Sequence, residues 1–141
     1  MESALLALPG GTYVITPQRD AALREALAAD PGPGNLAHPI FYYIASQVGM
    51  GLTVAELCAR CDFNLADGAM ITKSDVDFVD DLRVGDEYAV TGEIVSLIRK
   101  PSRTFGAVDV LTYRLRLTHP NRGLAATCVN EWILPQKGAS A

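Results

Sequence analysis

The sequence predicts a single α+β domain in which helices come first and long antiparallel strands follow. The chain has 141 residues, the size of one domain with one core. Apolar residues recur at helical spacing in the first half, and they alternate with polar residues in the second half. Short turn segments join the alternating runs, as antiparallel neighbours require. We therefore expect one domain over residues 1–141, with residues 136–141 as a loose tail.

A short strand and a helix open this domain. Thr12-Tyr13-Val14-Ile15 has the composition of a strand. Thr16-Pro17 then supplies an N-cap and a first-turn proline for a helix over residues 17–29. Asp30-Pro31-Gly32-Pro33-Gly34-Asn35 is a run of turn formers that ends the helix.

Two further apolar segments lie between this loop and the strands. Residues 38–48 are apolar and aromatic, and they indicate a short helix that begins near Pro39. Gly49-Met50-Gly51 interrupts that segment. Residues 52–61 predict another helix, and its apolar residues lie on more than one face, as expected for a helix enclosed by other elements.

Four alternating segments complete the domain. Strands are predicted over residues 70–79, 87–98, 108–118 and 124–134. Leu82-Arg83-Val84-Gly85-Asp86 is a turn in which Gly85 suits a positive φ. In the second strand we expect Tyr88, Val90, Ile94 and Ile98 to share one face. In the third, Leu111, Tyr113, Leu115 and Leu117 should point inward, with Thr112, Arg114 and Arg116 outward.

A curved antiparallel sheet wrapped around one apolar helix is the hotdog fold, and this order of elements predicts it. Residues 52–61 are the expected central helix. We expect residues 108–118 to be an exposed edge strand that a partner covers.

Composition excludes several classes of partner. A net charge of -4 and a pI near 5.0 argue against nucleic acid or an anionic membrane. No apolar run approaches the roughly 20 residues that span a bilayer. Met1-Glu2-Ser3 lacks the basic start of a secretory signal, so a cytoplasmic location is expected.

Three cysteines are best explained as core residues. Cys58 and Cys61 have the spacing of a redox or zinc pair, but one pair cannot complete a four-ligand zinc site. The predicted helix places both on one face, and free cysteines are commonly buried. We expect no metal and no cofactor.

Two stretches of the sequence carry a resemblance to a known family. The first is Asn35-Leu36-Ala37-His38, followed by Ala45-Ser46-Gln47-Val48-Gly49-Met50-Gly51. It is similar to the active-site loop and helix start of MaoC-like (R)-specific hydratases and dehydratases. The family loop reads roughly Asp-x-Asn-Pro-x-His. Alignment on His38 matches Asn35 to the family Asn but places Pro33 at the catalytic Asp. Val76 through Asp86, with its Leu-x-x-Gly-Asp, is similar to the strand pattern of hotdog proteins.

The resemblance implies a ligand that is an acyl thioester of coenzyme A or of an acyl carrier protein. It makes His38 the candidate proton carrier in hydration or dehydration. Asp30 and Glu56 are candidate acids in place of the missing Asp. The N–H groups of Gly49, Met50, Gly51 and Leu52 would polarise the thioester carbonyl at a helix start. Asn35 would bind substrate.

Each of these residues has a structural alternative. His38 and Glu56 could cap helices, Asn35 could hold the turn, and Asp30 could end a helix. Arg99 and Arg103 are candidate ligands for the phosphates of a carrier, or solvated loop charges. His119 precedes a proline in a turn, where a solvent-exposed side chain is expected.

Three functions therefore stay open from the sequence. The first is a (3R)-hydroxyacyl thioester dehydratase or the reverse hydratase. The second is a non-catalytic subunit that binds the acyl chain beside a catalytic hotdog partner, as in the non-catalytic halves of two-hotdog dehydratases. The third is a hotdog thioesterase that uses Glu56. On the same analogy we expect a homodimer or a heterodimer.

Overall fold

The structure confirms an α+β domain built on one antiparallel sheet. It is a computed structural model that describes residues 6–137. Three α-helices and a short 3₁₀ turn lie in the first half: α1 (Pro17–Ala26), α2 (Phe41–Gly49), α3 (Val54–Arg60) and the turn Leu65–Asp67. Six strands form the sheet: β1 (Leu6–Ala7), β2 (Gly11–Val14), β3 (Met70–Phe78), β4 (Glu87–Ser102), β5 (Gly106–His119) and β6 (Gly123–Pro135).

The strand at the edge of the sheet is not the one that was expected there. The sheet runs β1-β4-β5-β6-β3, and β2 also pairs with β4. The prediction that residues 108–118 form an exposed edge is wrong, because β5 pairs with β4 on one side and β6 on the other. β3 pairs with β6 instead, and within residues 6–137 no strand pairs with its outer edge. The free edge at this end of the sheet therefore belongs to β3.

The central helix is α2 rather than the helix over residues 52–61. α2 contacts β2, β4, β5 and β6, whereas α3 packs against the 3₁₀ turn. Small residues let α2 approach the sheet closely, and a Cβ on Gly49 would lie 2.5 Å from Val90 Cγ2. Only Leu57 and Cys58 are buried within α3. The prediction that residues 52–61 form the central helix is therefore wrong, because only one face of α3 is buried.

A β-bulge near Val95 changes which residues of β4 face inward. The register against β5 shifts between Ile94 and Ser96. Leu97 is therefore opposite inward-facing Leu111, while Ile98 is opposite Val110. The expected sharing of a face by Ile94 and Ile98 is wrong, because one extra residue reverses the alternation. The inward positions predicted for β5 are confirmed by their burial: Leu111, Tyr113, Leu115 and Leu117.

The three cysteines lie in the core as free thiols. Burial raises the pKa of Cys61 to about 11 and also raises the pKa values of the Cys58 and Cys128 thiols. A thiol with a raised pKa is a poor nucleophile at neutral pH. The burial therefore supports the structural interpretation of Cys58 and Cys61.

The C-terminal segment is bound for at least one residue beyond β6. The Gln136 N–H donates to the Ala107 carbonyl over 2.8 Å. Most of the expected loose tail, residues 138–141, lies outside the described residues. Within residues 6–137, no helix is both long enough and apolar enough to cross a bilayer.

Candidate functional site

His38 lies three residues before the first residue of the central helix and caps the turn that leads into it. Its Nδ1 accepts the Ile40 N–H over 3.2 Å, and its carbonyl accepts the Phe41 N–H over 3.0 Å. In this geometry Nδ1 is the acceptor, so it is engaged by the backbone. The helix-capping alternative for His38 therefore has a direct geometric basis.

A buried ion pair holds the loop that precedes His38. The Asp20 carboxylate accepts the His38 N–H at Oδ1 and the Arg24 Nε–H at Oδ2, each over 2.9 Å. Arg24 also donates to the carbonyl oxygens of Asp30 (2.7 Å) and Leu36 (3.2 Å). The sequence analysis did not identify this pair. The i,i+4 spacing of Asp20 and Arg24 on a predicted helix was the available signal.

A cleft of about 360 Å³ lies beside this loop, at the amino end of α2. Pro33, the residue that stands where the resemblance places a catalytic Asp, forms part of its wall. Asp81 contributes an exposed carboxylate that sequence reasoning missed. Apolar side chains supply much of the remaining lining, which is Arg24, Gly32, Leu36, Ala37, Pro39, Phe78 and Leu82. The cleft is therefore suited to a mainly apolar group that also makes polar contacts with Asp81 and Arg24.

Asn35 and Asp30 lie on the same loop but outside this cleft. Asn35 lines a second cleft, of about 500 Å³, between the loop and α1. Its carbonyl accepts the Val84 N–H over 2.7 Å, which anchors the loop to the β3–β4 connection. Asp30 is exposed, and its carbonyl is held by Arg24. The structure therefore does not bring the Asp30 carboxylate to the His38 ring.

Glu56 lies beyond the opposite end of α2 from His38. Its carboxylate accepts the Thr53 N–H over 2.8 Å, and the Thr53 hydroxyl accepts the Glu56 N–H over 3.0 Å. This reciprocal pair is a capping box that starts α3. Glu56 therefore has a structural role, and the fold does not assemble it with His38.

Gly49, Met50 and Gly51 lie where α2 ends, not where the central helix starts. The carbonyl end of a helix carries partial negative charge, so it does not polarise a thioester carbonyl. The Met50 carbonyl accepts the Gly10 N–H over 2.8 Å. Gly51 has φ +87°, and a Cβ there would lie 2.5 Å from the Gly10 carbonyl oxygen. The expected position at a helix start is wrong, and close packing on the β1–β2 connection accounts for the glycines.

The two arginines predicted to bind carrier phosphates differ in their surroundings. Arg99 makes a bidentate pair with Asp109, at 2.7 Å from Nε and 3.1 Å from a terminal nitrogen. Asp109 holds the pKa of the Arg99 guanidinium above its usual range. Arg103 is exposed in the β4–β5 hairpin. Arg103 is therefore the more available of the two for an anionic ligand.

A hydrogen-bonded polar layer lies between α2 and the sheet. The Gln47 amide contacts the Tyr113 hydroxyl, with Nε2 at 2.8 Å, and Trp132 Nε1–H donates to the same hydroxyl over 3.2 Å. Burial raises the pKa of Tyr113. Closer to β3, the Ser74 hydroxyl donates to Asn130 Oδ1 over 2.6 Å. Tyr113 and Asn130 are fully buried.

His119 is packed rather than exposed. Only 11% of its side chain is accessible, and its ring lies edge-on against Tyr88 with centroids 5.9 Å apart. Nδ1 accepts the N–H groups of Asn121 (3.1 Å) and Arg122 (3.2 Å). The prediction of a solvated turn residue is wrong, because the β5–β6 turn folds over Tyr88. His119 therefore stabilises the turn, and it lines neither cleft beside the His38 loop.

Comparison with known proteins identifies the fold. Neither a protein-family model nor a curated protein sequence matches the chain. Solved structures do match the chain in fold, and three of them are given as examples. The ChsH1-ChsH2 complex from Mycobacterium tuberculosis has a TM-score of 0.69 at 12% identity, over 93% of this chain and 84% of that chain. A truncated HadBC (3R-hydroxyacyl-ACP dehydratase) complex from the same organism has a TM-score of 0.60 at 15% identity, over 91% and 93%. An (R)-hydratase from A. caviae has a TM-score of 0.53 at 19% identity, over 96% and 100%.

These likenesses define the class of protein by its architecture. The chain has the hotdog fold, as the sequence predicts. Its structural neighbours are MaoC-like dehydratases and other hotdog-fold proteins, which include hydratases, dehydratases and thioesterases. At identities of 12–19% the likeness in structure extends to the fold alone.

Proposed function

We propose that this chain is a MaoC-like hotdog subunit that binds an acyl thioester and leaves the acid–base chemistry to a catalytic hotdog partner. The ligand class is a 3-hydroxyacyl or enoyl thioester of coenzyme A or of an acyl carrier protein. The reaction of the whole assembly is hydration or dehydration. The location is cytoplasmic, where Cys58, Cys61 and Cys128 would remain reduced.

One observation carries the choice of a non-catalytic role. Hydration needs a carboxylate and an imidazole positioned together on the reacting carbons. His38 uses Nδ1 to cap α2, and Pro33 occupies the cleft wall at the position of the expected Asp. The nearby Asp20 carboxylate is already bound by Arg24 and by the His38 backbone. This arrangement supports ligand binding more than proton transfer.

Binding without turnover is the expected result for the isolated protein. We expect calorimetry to detect crotonyl-CoA binding, while the absorbance of the enoyl thioester stays constant over hours. His38→Ala should cost about 1 kcal/mol of folding free energy, as loss of a helix cap does. The His38→Ala variant, like the wild type, should not hydrate crotonyl-CoA.

An active (R)-hydratase assayed in parallel is the positive control for hydration. If the purified chain hydrates crotonyl-CoA and His38→Ala abolishes this, the non-catalytic proposal is wrong and His38 is catalytic. Release of free thiol from an acyl-CoA, if it depends on Glu56, would instead support the hypothesis that the chain is a thioesterase. The capping box around Glu56 argues against that outcome.

The free edge of β3 is the proposed contact with a second hotdog chain. Ile71 is 41% exposed, and Phe78 and Val79 are 42% and 66% exposed along or just after this strand. An unpaired strand with apolar side chains is prone to association unless another chain covers it. Pairing of two such edges would join the sheets of two domains. The partner is a copy of this chain when the catalytic subunit is absent.

Substitution of this edge should therefore separate the dimer. We expect the wild-type protein to be a dimer at micromolar concentration, measured by size exclusion with light scattering. Ile71→Lys combined with Val79→Lys should give a monomer, because charged side chains block edge pairing. Ile98→Lys is the matched control, since Ile98 is 51% exposed but lies on β4. A monomeric wild-type protein would refute self-pairing.

A further inference from the structure

We infer that the layer between α2 and the sheet is closed to the acyl tail, and that Tyr42 is the residue that closes it. The protein would then accept only short and medium acyl groups, which stay within the cleft beside the His38 loop. This inference rests on the proposed function and names the substrate class of that same site.

Tyr42 stands where a longer tail would have to pass. The cleft lies at the amino end of α2, between Pro39 and Phe78. Tyr42 is in the first turn of the helix, and its ring lies edge-on to Phe78 with centroids 6.1 Å apart. Its hydroxyl shares a hydrogen bond with the Ser74 hydroxyl over 3.0 Å. Tyr42 therefore bridges α2 to β3 beside Phe78, which forms part of the cleft wall.

The bridge continues inward as a chain of buried hydrogen bonds. Ser74 donates to Asn130 on β6, and Cys128 Sγ lies 3.3 Å from the same amide oxygen. One turn further along α2, Gln47 contacts Tyr113. Polar groups from three strands thus fill the space in which an apolar tail would have to lie.

The balance of energies opposes entry of a tail. A buried group left without its hydrogen bond weakens binding by roughly 5- to 150-fold. One buried methylene strengthens binding only about fourfold. Opening the Tyr42–Ser74 bridge leaves the Tyr42 hydroxyl without this partner, whereas Ser74 keeps its bond to Asn130. Each polar group that a tail leaves unpaired offsets the gain from about one to four methylenes. A tail that passes Tyr42 and then meets Asn130 and Tyr113 therefore gains little from added methylenes.

At roughly 150 Å³ for the six carbons of benzene, a cleft of about 360 Å³ encloses about fourteen non-hydrogen atoms. An acyl chain of about eight carbons, its thioester oxygen and sulfur, and about four atoms of the adjoining carrier arm would fill this space. The test is calorimetric titration of the intact protein with butyryl-, hexanoyl-, octanoyl- and dodecanoyl-CoA. For the wild type, affinity should rise about fourfold per methylene and then stay level between octanoyl- and dodecanoyl-CoA.

Tyr42→Ala should restore a gain of about tenfold or more between octanoyl- and dodecanoyl-CoA, because it removes the bridge and leaves space. Tyr42→Phe keeps the ring but lacks the hydrogen bond, so its gain should be smaller than that of Tyr42→Ala. Val48→Ala, at an exposed site on the same helix, should match the wild type. Dodecanoyl-CoA binding tenfold tighter than octanoyl-CoA in the wild type would overturn the closure. An unchanged profile in a folded Tyr42→Ala variant would overturn the role of Tyr42, with the proposed function intact. Failure of every acyl-CoA to bind would overturn both.

Discussion

Replacement of Asp20 by alanine is expected to lower the free energy of unfolding by about 3 kcal/mol, because it removes one member of a buried ion pair. Asp20 is 8% exposed, and its carboxylate binds both Arg24 and the His38 N–H. Without it, the Arg24 guanidinium stays partly buried with no carboxylate partner. Urea unfolding followed by circular dichroism measures the loss. A fall of about 10 °C in Tm should accompany it.

Two variants separate this effect from a general sensitivity of α1. Glu25→Ala changes an exposed carboxylate on the same helix and should alter stability by less than about 0.5 kcal/mol. Asp20→Asn retains an acceptor oxygen, so its loss in free energy of unfolding should lie between those of Asp20→Ala and Glu25→Ala. Equal unfolding curves for Asp20→Ala and Glu25→Ala would show that the ion pair does not hold the loop.

Gly92→Ala should destabilise the sheet by about 3 kcal/mol, at the upper end of the cost of overpacking. A Cβ at position 92 would lie 2.1 Å from the Arg114 carbonyl oxygen and 2.7 Å from Leu115 Cδ2. Backbone of the neighbouring strand β5 cannot move away without breaking the pairing. A Gly-to-Ala change normally stabilises by about 0.4–1 kcal/mol where it fits, so the sign itself is informative.

Gly34→Ala is the matched glycine control for this prediction. Gly34 has φ +59°, but a Cβ there would meet no atom within 4 Å. Its cost should be only the roughly 1 kcal/mol of a left-handed conformation in alanine. Thermal and urea unfolding of both variants measures the difference. A Gly92→Ala protein as stable as wild type would mean that β4 and β5 lie further apart than the structure places them.

The elements that sequence patterns predicted well are those set by neighbouring residues. Thr16 caps α1 by accepting the Arg19 N–H, as Thr16-Pro17 indicates. Gly85 has φ +94°, the conformation for which a turn glycine was expected. Alternation along residues 108–118 identified the inward face of β5 correctly. In each case the determining interaction lies within a few residues of the pattern.

The elements that were predicted wrongly depend on distant contacts. α2 and α3 are both short and apolar, so periodicity does not say which one the sheet encloses. That choice follows from the fit of Gly49 against Val90, which are 41 positions apart in the sequence. The bulge near Val95 and the burial of His119 likewise depend on partners on another strand or turn. Local sequence patterns contain no information about those distant partners.

The candidate site shows the same division. The loop that contains His38 was identified from its residues, and it lines a cleft at the end of a helix. The positions of Glu56 and of the Gly49-Met50-Gly51 segment were not predicted correctly, because their expected roles assumed that residues 52–61 form the central helix. Asp20 and Tyr42 became evident only when the fold placed α1 and α2 against the loop and β3. Their partners lie 18 and 32 positions away.

By itself the sequence determined the class of fold, the order of helices and strands, and the position of the loop that now lines the cleft. These follow from hydrophobic period, capping residues and turn formers, which act over one or two turns of chain. Only the tertiary structure decided which helix the sheet encloses, which strand is left at the edge, and that His38 serves as a cap. Those outcomes depend on packing between distant segments, where a fit of a few tenths of an ångström selects one arrangement.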